Sequence, residues 1–487
     1  MRSRIVLALG ALIFFALSVS AASGKKIDSI EDLGRDAYVW GYPAVYIHNA
    51  REAMLSKTQE GENAVNHFYH SAKVPDPFLG HLVNVYPENL YSWAWVDLSK
   101  GPLVMTHPSI TDRYYSVQFV DAYSTVFQTL SSNSGQGDKA GNFLITPPEW
   151  KGDVPKNTTQ IRASTPEILI VAQTFVKEPK ELAKLVKITS QRQLIPLSSW
   201  EKGIQTDSFK STYPTTALKL NKNLAKNGPK YYEDLQKIIA KNPPPTKAES
   251  KEMERFTSLG IKDATVMANV FSNEETRKMM ERGIFEGERE IQERLATGFG
   301  PKINGWSYEL KAPPFTADYL LRAAASQRYF FSQPPEETVQ MALDADSEGR
   351  QLTGSYRYLL HFEKDDFPPA RSMWSLRVHE MKNKNSDDIA KPVSSINDKS
   401  SHLKYNMDGS MDILLQPEKP APAYRSNWLA LSQNANFYVV LTLFNPHNTV
   451  LNRKYIAPSL VRIDEDSLPK QRIVHTMMAQ AEEPVSK

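Results

Sequence analysis

Hydrophobic and polar positions change their spacing several times along the chain. Between residues 28 and 50, Ile30, Leu33, Ala37 and Trp40 form one stripe at helical spacing, with Asp28 or Ser29 as cap and Asp32 following. Gly41-Tyr42-Pro43 is expected to break or kink that helix, since proline lacks an N–H and its ring crowds the preceding turn. From about 90 to 176 the period becomes two. Leu90, Ser92, Ala94 and Val96 alternate with Tyr91, Trp93, Trp95 and Asp97, and both faces are largely apolar, so this strand is expected to be covered on both sides. "GPLVMTH", "RYYSVQFV", "NFLIT" and "EILIVAQTFV" predict further strands, punctuated by Gly-Pro, Pro-Pro and "SGQGDKAG".

From about 177 to 298 the spacing is helical. Lys230–Ala240 and Ala248–Leu259 are separated by "NPPPT", and Glu274–Ala296 carries the stripe Met280, Ile284, Ile291 and Leu295. Gly283 and Gly287, one turn apart, either weaken that helix or permit a close contact; the close contact is the favoured reading. A third zone, from about 301 to 470, predicts a helix over Thr316–Arg328 and strands at "YRYLLHF", "MWSLRVHEM", "MDILLQ" and "FYVVLTLF". The order β, α, β predicts an α+β chain: two antiparallel β-sandwich, jelly-roll-like units joined by a helical segment. The expected boundaries are 23–200, 201–300 and 301–487.

The first residues read as a secretory leader, 1–22. Arg2 and Arg4 precede the uncharged run Ile5–Leu17, and "SVSAASG" offers small residues for cleavage near Ala21 or Ala22. The run is shorter than the ~20 residues of a spanning helix, and no later segment is long and apolar enough. The expected location is therefore extracellular, or periplasmic in a bacterium. Without the leader the charge is 58 − 2 = 56 basic against 55 acidic residues, or +1, which implies neither nucleic acid nor an anionic membrane. The chain has no cysteine, which removes disulfides, thiol chemistry and Cys-based metal sites. Its 32 prolines against 22 glycines favour firm turns over flexible linkers. Asn157-Thr158-Thr159 is a sequon, used only if the source is eukaryotic.

Candidate chemistry is sparse. In "RYYSVQFVDAYS" Arg113, Tyr115, Val117, Phe119 and Asp121 share one face of a strand, with Arg113 and Asp121 too far apart to pair. On the other face Tyr114, Ser116 and Gln118 either wall a polar cavity or form a covered face. In "YPENLYS" Glu88 stands where a turn enters an aromatic strand, placed equally for general-base work and for turn chemistry. Asp344, Asp346, Glu348 and Gly349 resemble the first half of a calcium loop, but the twelfth position is Ser355, so an acidic turn is favoured and calcium is the one cofactor kept in view. The chain contains no HExxH, GxSxG, GxGxxG or P-loop.

One combination of motifs resembles a known family. Ala37-Tyr38-Val39-Trp40-Gly41-Tyr42-Pro43, the strand Leu90 to Ser99, Arg113 to Asp121 and Gly141 to Gly152 are similar to the first half of exported proteins built from domains of unknown function 1254 and 1214 in tandem. Gly349 to Tyr358, Met373 to Leu376, Asp408 to Ser410 and Asn427 to Leu429 are similar to the second half. Two departures stand out. Pro87-Glu88-Asn89 replaces the usual Asn-Asp-Thr, and Ala172-Gln173-Thr174 replaces a frequent Gly-Arg-Thr. The resemblance implies two β-sandwich-like units with a helical connection, and no agreed reaction, cofactor or catalytic residue.

Two functions follow as expectations. The favoured one is a secreted, non-catalytic binding or matrix component whose partner is a small molecule or an extracellular macromolecule, with homo-oligomerisation left open. The other is a secreted or periplasmic hydrolase with Glu88 as base and Tyr91, Arg113 and Gln118 as orienting groups. Asp121 is a further candidate in the same strand.

Overall fold

The computed structural model describes residues 28–80, 82, 85–133, 140–204, 212–297, 300–309, 318–330, 333–381, 392–400 and 402–464. The expected leader lies outside these residues. No helix among them is long and apolar enough to cross a membrane.

The first helix, Ile30–Leu55, begins on a reciprocal cap. Ser29 Oγ accepts the Asp32 N–H at 3.0 Å, and the Asp32 carboxylate accepts the Ser29 hydroxyl at 2.7 Å. Of the break or kink expected at Gly41-Tyr42-Pro43, the break does not occur, for the helix runs through Pro43. Proline inside a helix costs about 3 kcal/mol. Here Trp40, Tyr42, Ala44 and Val45 are wholly buried around it, so apolar burial on several sides offsets the lost hydrogen bond.

Helices Lys230–Lys241, Glu274–Ala296 and Tyr319–Arg328 pack on this first helix and share its core. The helical zone is thus a layer laid on the N-terminal sheet, whose Tyr91, Trp93, Trp95, Leu169 and Val171 enter the same core. The two helical glycines serve contact. A Cβ on Gly283 would come within 2.6 Å of Glu31 O and 2.7 Å of Arg35 N, and one on Gly287 within 2.8 Å of Tyr38 Cδ1. Gly283→Ala should therefore reverse the usual sign. An open helix gains up to about 1 kcal/mol from this change, whereas here a loss of about 1–3 kcal/mol is expected because backbone must move. Urea denaturation reads the difference, and a gain in stability would refute the close contact.

The sheets are antiparallel and mixed, and the chain is α+β. In the N-terminal half one five-stranded antiparallel sheet has the order Tyr69–His70, Asn89–Asp97, Glu167–Phe175, Tyr115–Asp121, Val126–Ser131. A four-stranded sheet has the order Thr158–Arg162, Gly141–Thr146, Leu103–His107, Leu194–Pro196, and its first pair is parallel. Ala94, Val117, Phe119 and Ile170 of the former share a core with Leu103, Met105, Phe143 and Ile145 of the latter. The C-terminal half repeats the plan. A six-stranded antiparallel sheet centred on Phe437–Pro446 buries Val339, Leu376 and Leu441 against Leu360, Ile413 and Leu429 of a four-stranded sheet.

Candidate functional site

Strand alternation places one polar row at the end of the five-stranded sheet. Tyr91, Gln173, Ser116 and Ser131 stand directly opposite one another on four adjacent strands. Gln173 links them. Its carbonyl oxygen accepts Asn89 Nδ2 at 2.8 Å and the Tyr91 hydroxyl at 3.1 Å, while its Nε2 donates to Ser116 Oγ at 3.1 Å. The Tyr91 hydroxyl also accepts the Tyr86 backbone N–H at 2.8 Å, which holds the turn carrying Glu88.

The facing surface belongs to the C-terminal half. Leu443 and Leu441 turn into their own core, so the alternate residue, Thr442, is on the opposite face with Gln340 and Ser375 directly beside it in the register. Arg377, two residues beyond Ser375, shares that face. The two halves meet here. Tyr86 OH accepts Gln340 Nε2 at 3.1 Å, and the Arg377 guanidinium lies 4.8 Å from the centre of the Tyr86 ring. Phe444 contacts both Tyr86 and Tyr114, at 4.8 and 5.1 Å between ring centres. Beside them the Glu337 carboxylate accepts Ser131 Oγ at 2.6 Å and Asn133 Nδ2 at 3.0 Å, with Tyr114 OH at 3.3 Å. Tyr114 OH donates to Gln333 Oε1 at 2.6 Å.

Most polar atoms in this seam are satisfied, and a few are not. Both carboxylate oxygens of Glu88, Nε of Arg377, Oγ of Ser375 and Oδ1 of Asn89 are buried without a hydrogen-bond partner. Arg377 donates through Nη2 to Thr442 Oγ1 at 3.3 Å. Arg377 lies over the Tyr86 ring, and Glu88 follows Tyr86 by two residues in the same turn. Burial pushes the Tyr86 hydroxyl up, the Arg377 charge and the Gln340 bond oppose this, and Glu88 adds to it. Burial also raises Tyr91 and Tyr114 well above the usual phenol range. These tyrosines stay protonated and act as hydrogen-bonding groups.

The sequence-predicted residues divide. Glu88 and Tyr91 are in the seam. Gln118 lies one row deeper on the same face, buried between Val171 and Thr129. Arg113 does not join them. Its fork grips Glu181 at 2.7 and 3.1 Å and Asp112 at 2.9 and 2.7 Å, and also donates to Phe175 O at 3.2 Å. Asp121 is at the other end of its strand, where it accepts the N–H groups of Tyr123 and Thr125 and the Ser164 hydroxyl, each at 2.9 Å. It builds a turn. The calcium candidates are engaged as well. Asp346 accepts the N–H groups of Glu348 and Arg350 and the Arg350 side chain at 2.8 Å, Glu348 pairs with Arg350, and Asp344 lies 3.1 Å from Lys302. Among the described residues no group of three His, Cys, Asp or Glu side chains is placed to hold a metal.

Sequence reasoning did not single out Glu337, Ser375, Arg377 or Thr442. The signal was present in "MWSLRVHEM", where Ser375, Arg377 and His379 put polar groups on one face of a strand whose other face carries Trp374, Leu376 and Val378.

Fold and seam together define the class, an α+β protein whose two sheet-based halves enclose a buried polar junction. The chain belongs to the family that carries two domains of unknown function in tandem. A profile described as "Protein of unknown function (DUF1254)" matches residues 65–196, and one described as "Protein of unknown function (DUF1214)" matches 337–448. No curated protein matches. Among solved structures, the VPA0106 protein from Vibrio parahaemolyticus is similar in fold, with a TM-score of 0.63 and 19% identity over 90% of this chain and 100% of that one. A putative uncharacterized protein from Burkholderia cenocepacia gives a TM-score of 0.41 and 11% identity over 86% of this chain and 87% of that one. The two departures noted in the sequence touch in the structure, since Asn89 Nδ2 is the group donating to Gln173.

Proposed function

We propose that the protein is a non-catalytic binding component, acting outside the cytoplasm after loss of its leader, and that it binds a small polar molecule in the seam between its halves. The observation that carries this is the pair of buried, unsatisfied charged groups, the Glu88 carboxylate and the Arg377 Nε, set around one tyrosine. A buried polar atom without a partner is rare in a native interior, and junctions between domains are common ligand sites. The ligand suited to them offers a donor, a hydroxyl or amine, to Glu88 and an acceptor, a carbonyl or carboxylate, to Arg377. Hydroxy and amino carboxylates fit that description. The same reading takes each half as a β-sandwich, supported by the core shared between its two sheets, which holds the seam residues on rigid strands.

A panel of small hydroxy and amino carboxylates, screened by thermal shift and then calorimetry, tests it. At least one compound should bind the wild type. Glu88→Gln and Arg377→Met should each weaken it roughly ten- to a hundred-fold, the worth of one hydrogen bond to a charged group. Equal binding by wild type and both variants, or no binding by any panel member, would sink the proposal. The hydrolase reading keeps one supporting observation, the unengaged Glu88 carboxylate. An esterase, amidase and glycosidase screen that finds turnover abolished in Glu88→Gln would favour it instead.

A further inference from the structure

On the other face of the same sheet, at one end of the core between the two N-terminal sheets, the interior turns polar. Arg192 stands just ahead of the strand Leu194–Pro196 and is 1% exposed. Its backbone is pinned from both sides. The Gln193 N–H donates to Thr106 Oγ1 at 3.0 Å, and the Thr106 hydroxyl donates to Gln191 O at 2.8 Å. The Arg192 carbonyl lies 3.1 Å from His70 Nε2, which must therefore carry the proton and donate. His70 Nδ1 then accepts the Ser92 hydroxyl at 2.8 Å, and the ring is neutral, pushed down to about 3 by burial and the Arg192 charge.

The guanidinium so held has no carboxylate beside it among the described residues. Its Nε and Nη2 each lie 3.4 Å from His107 Nδ1, and its Nη1 has no partner. The Tyr115 ring packs 5.1 Å from His107. Thr174 stands directly across from Tyr115 on the next strand, and its hydroxyl is buried without a partner. Burial pushes Arg192 down to about 10, which leaves it charged at neutral pH. An interior cation without an acid is destabilising unless something compensates it. The guanidinium N–H comes from the side of one sheet and the Thr174 hydroxyl from the other, both next to the His107–Tyr115 pair, and such a donor pair is the complement of an anion.

We propose that Arg192 holds a small oxyanion between the two sheets, bound by its Nη1 and the Thr174 hydroxyl, with His107 and Tyr115 forming the wall. The carboxylate and phosphate classes share the required chemistry. This site is separate from the seam, because Thr174 and Gln173 are consecutive in a strand and point to opposite faces.

The test uses the whole mature protein, dialysed into a buffer with a bulky sulfonate as its anion. Sodium phosphate, sodium acetate and sodium chloride are then titrated at matched ionic strength while melting is followed. Phosphate or acetate should raise the wild-type melting temperature saturably by several degrees, with chloride inert, and the active salt identifies the class. Thr174→Val should need about ten times more of that salt for half its effect. Arg192→Met should show no shift, and in the sulfonate buffer it should melt no lower than wild type, since an unpaired buried charge has been removed. If Arg192→Met fails to fold, Thr174→Val alone carries the comparison. The proposal is overturned if neither oxyanion shifts the wild type, or if Thr174→Val responds as the wild type does.

Discussion

Replacing Glu249 with alanine is expected to remove about 3–5 kcal/mol of stability, the largest loss anticipated for any single change in this chain. Glu249 and Arg322 are each 4% exposed and form an ion pair under the first helix. Glu249 also accepts the Trp40 indole N–H at 2.7 Å, and Arg322 donates to the Trp40 carbonyl at 3.2 Å. Deleting the acid leaves a guanidinium in the interior and an indole N–H without an acceptor. Breaking a buried pair from one side costs far more than the pair contributes, because the remaining charge has lost its water and its partner. The double change Glu249→Leu with Arg322→Met should therefore recover most of the loss. Urea denaturation of the two single variants and the double variant measures this. A Glu249→Ala loss under about 1 kcal/mol would mean that solvent reaches the arginine.

Glu337→Ala should be nearly as damaging, at about 2–4 kcal/mol, because it strips the acceptor from Ser131 and Asn133 across the seam. These partners come from the N-terminal half, so the loss falls on the contact between halves. Adding Ser131→Ala to Glu337→Ala should cost little more, whereas Ser131→Ala alone should cost about 1 kcal/mol. Burial raises the Glu337 carboxyl above its ordinary value, against the hydrogen bonds that lower it. The sign follows from linkage. Below the unfolded value near 4.5 both states hold the proton, and above it the unfolded chain releases it first. The contribution is thus complete below the unfolded value and is lost as pH rises through the raised folded value. Glu337→Gln should flatten that part of the stability–pH curve while costing less than alanine, since an acceptor oxygen remains. An unchanged curve would contradict the shift.

Much of the architecture was legible from spacing alone. The stripe Met280, Ile284, Ile291 and Leu295 predicted a helix with those residues inside; the first three are wholly buried and Leu295 is half-buried. The alternation in "RYYSVQFVDAYS" separated Val117 and Phe119, which enter the core between sheets, from Ser116 and Gln118, which turn the other way. Local signals misled where tertiary burial outweighed them, as at Pro43. The parallel pairings of Gly141–Thr146 with Thr158–Arg162 and of Met411–Gln416 with Trp428–Ala430 had no local signal. Arg113 read as an orienting group of the candidate pocket because its partner Glu181 is far along the chain, and only the fold brings the two together.

The sequence by itself determined which side chains share a face, because backbone sterics impose a period of two in strands and 3.6 in helices whatever lies opposite. It thereby set Tyr91 with Asn89, and Ser375 with Arg377, before any partner was known. What each face meets was decided only by the tertiary structure. Docking of the halves brings Tyr86, with Glu88 beside it, against Arg377 and sets Glu337 on Ser131, and packing of the two N-terminal sheets closes Arg192 away from every carboxylate among the described residues. Such contacts depend on the summed burial of whole faces, a non-local quantity that no short window of residues contains.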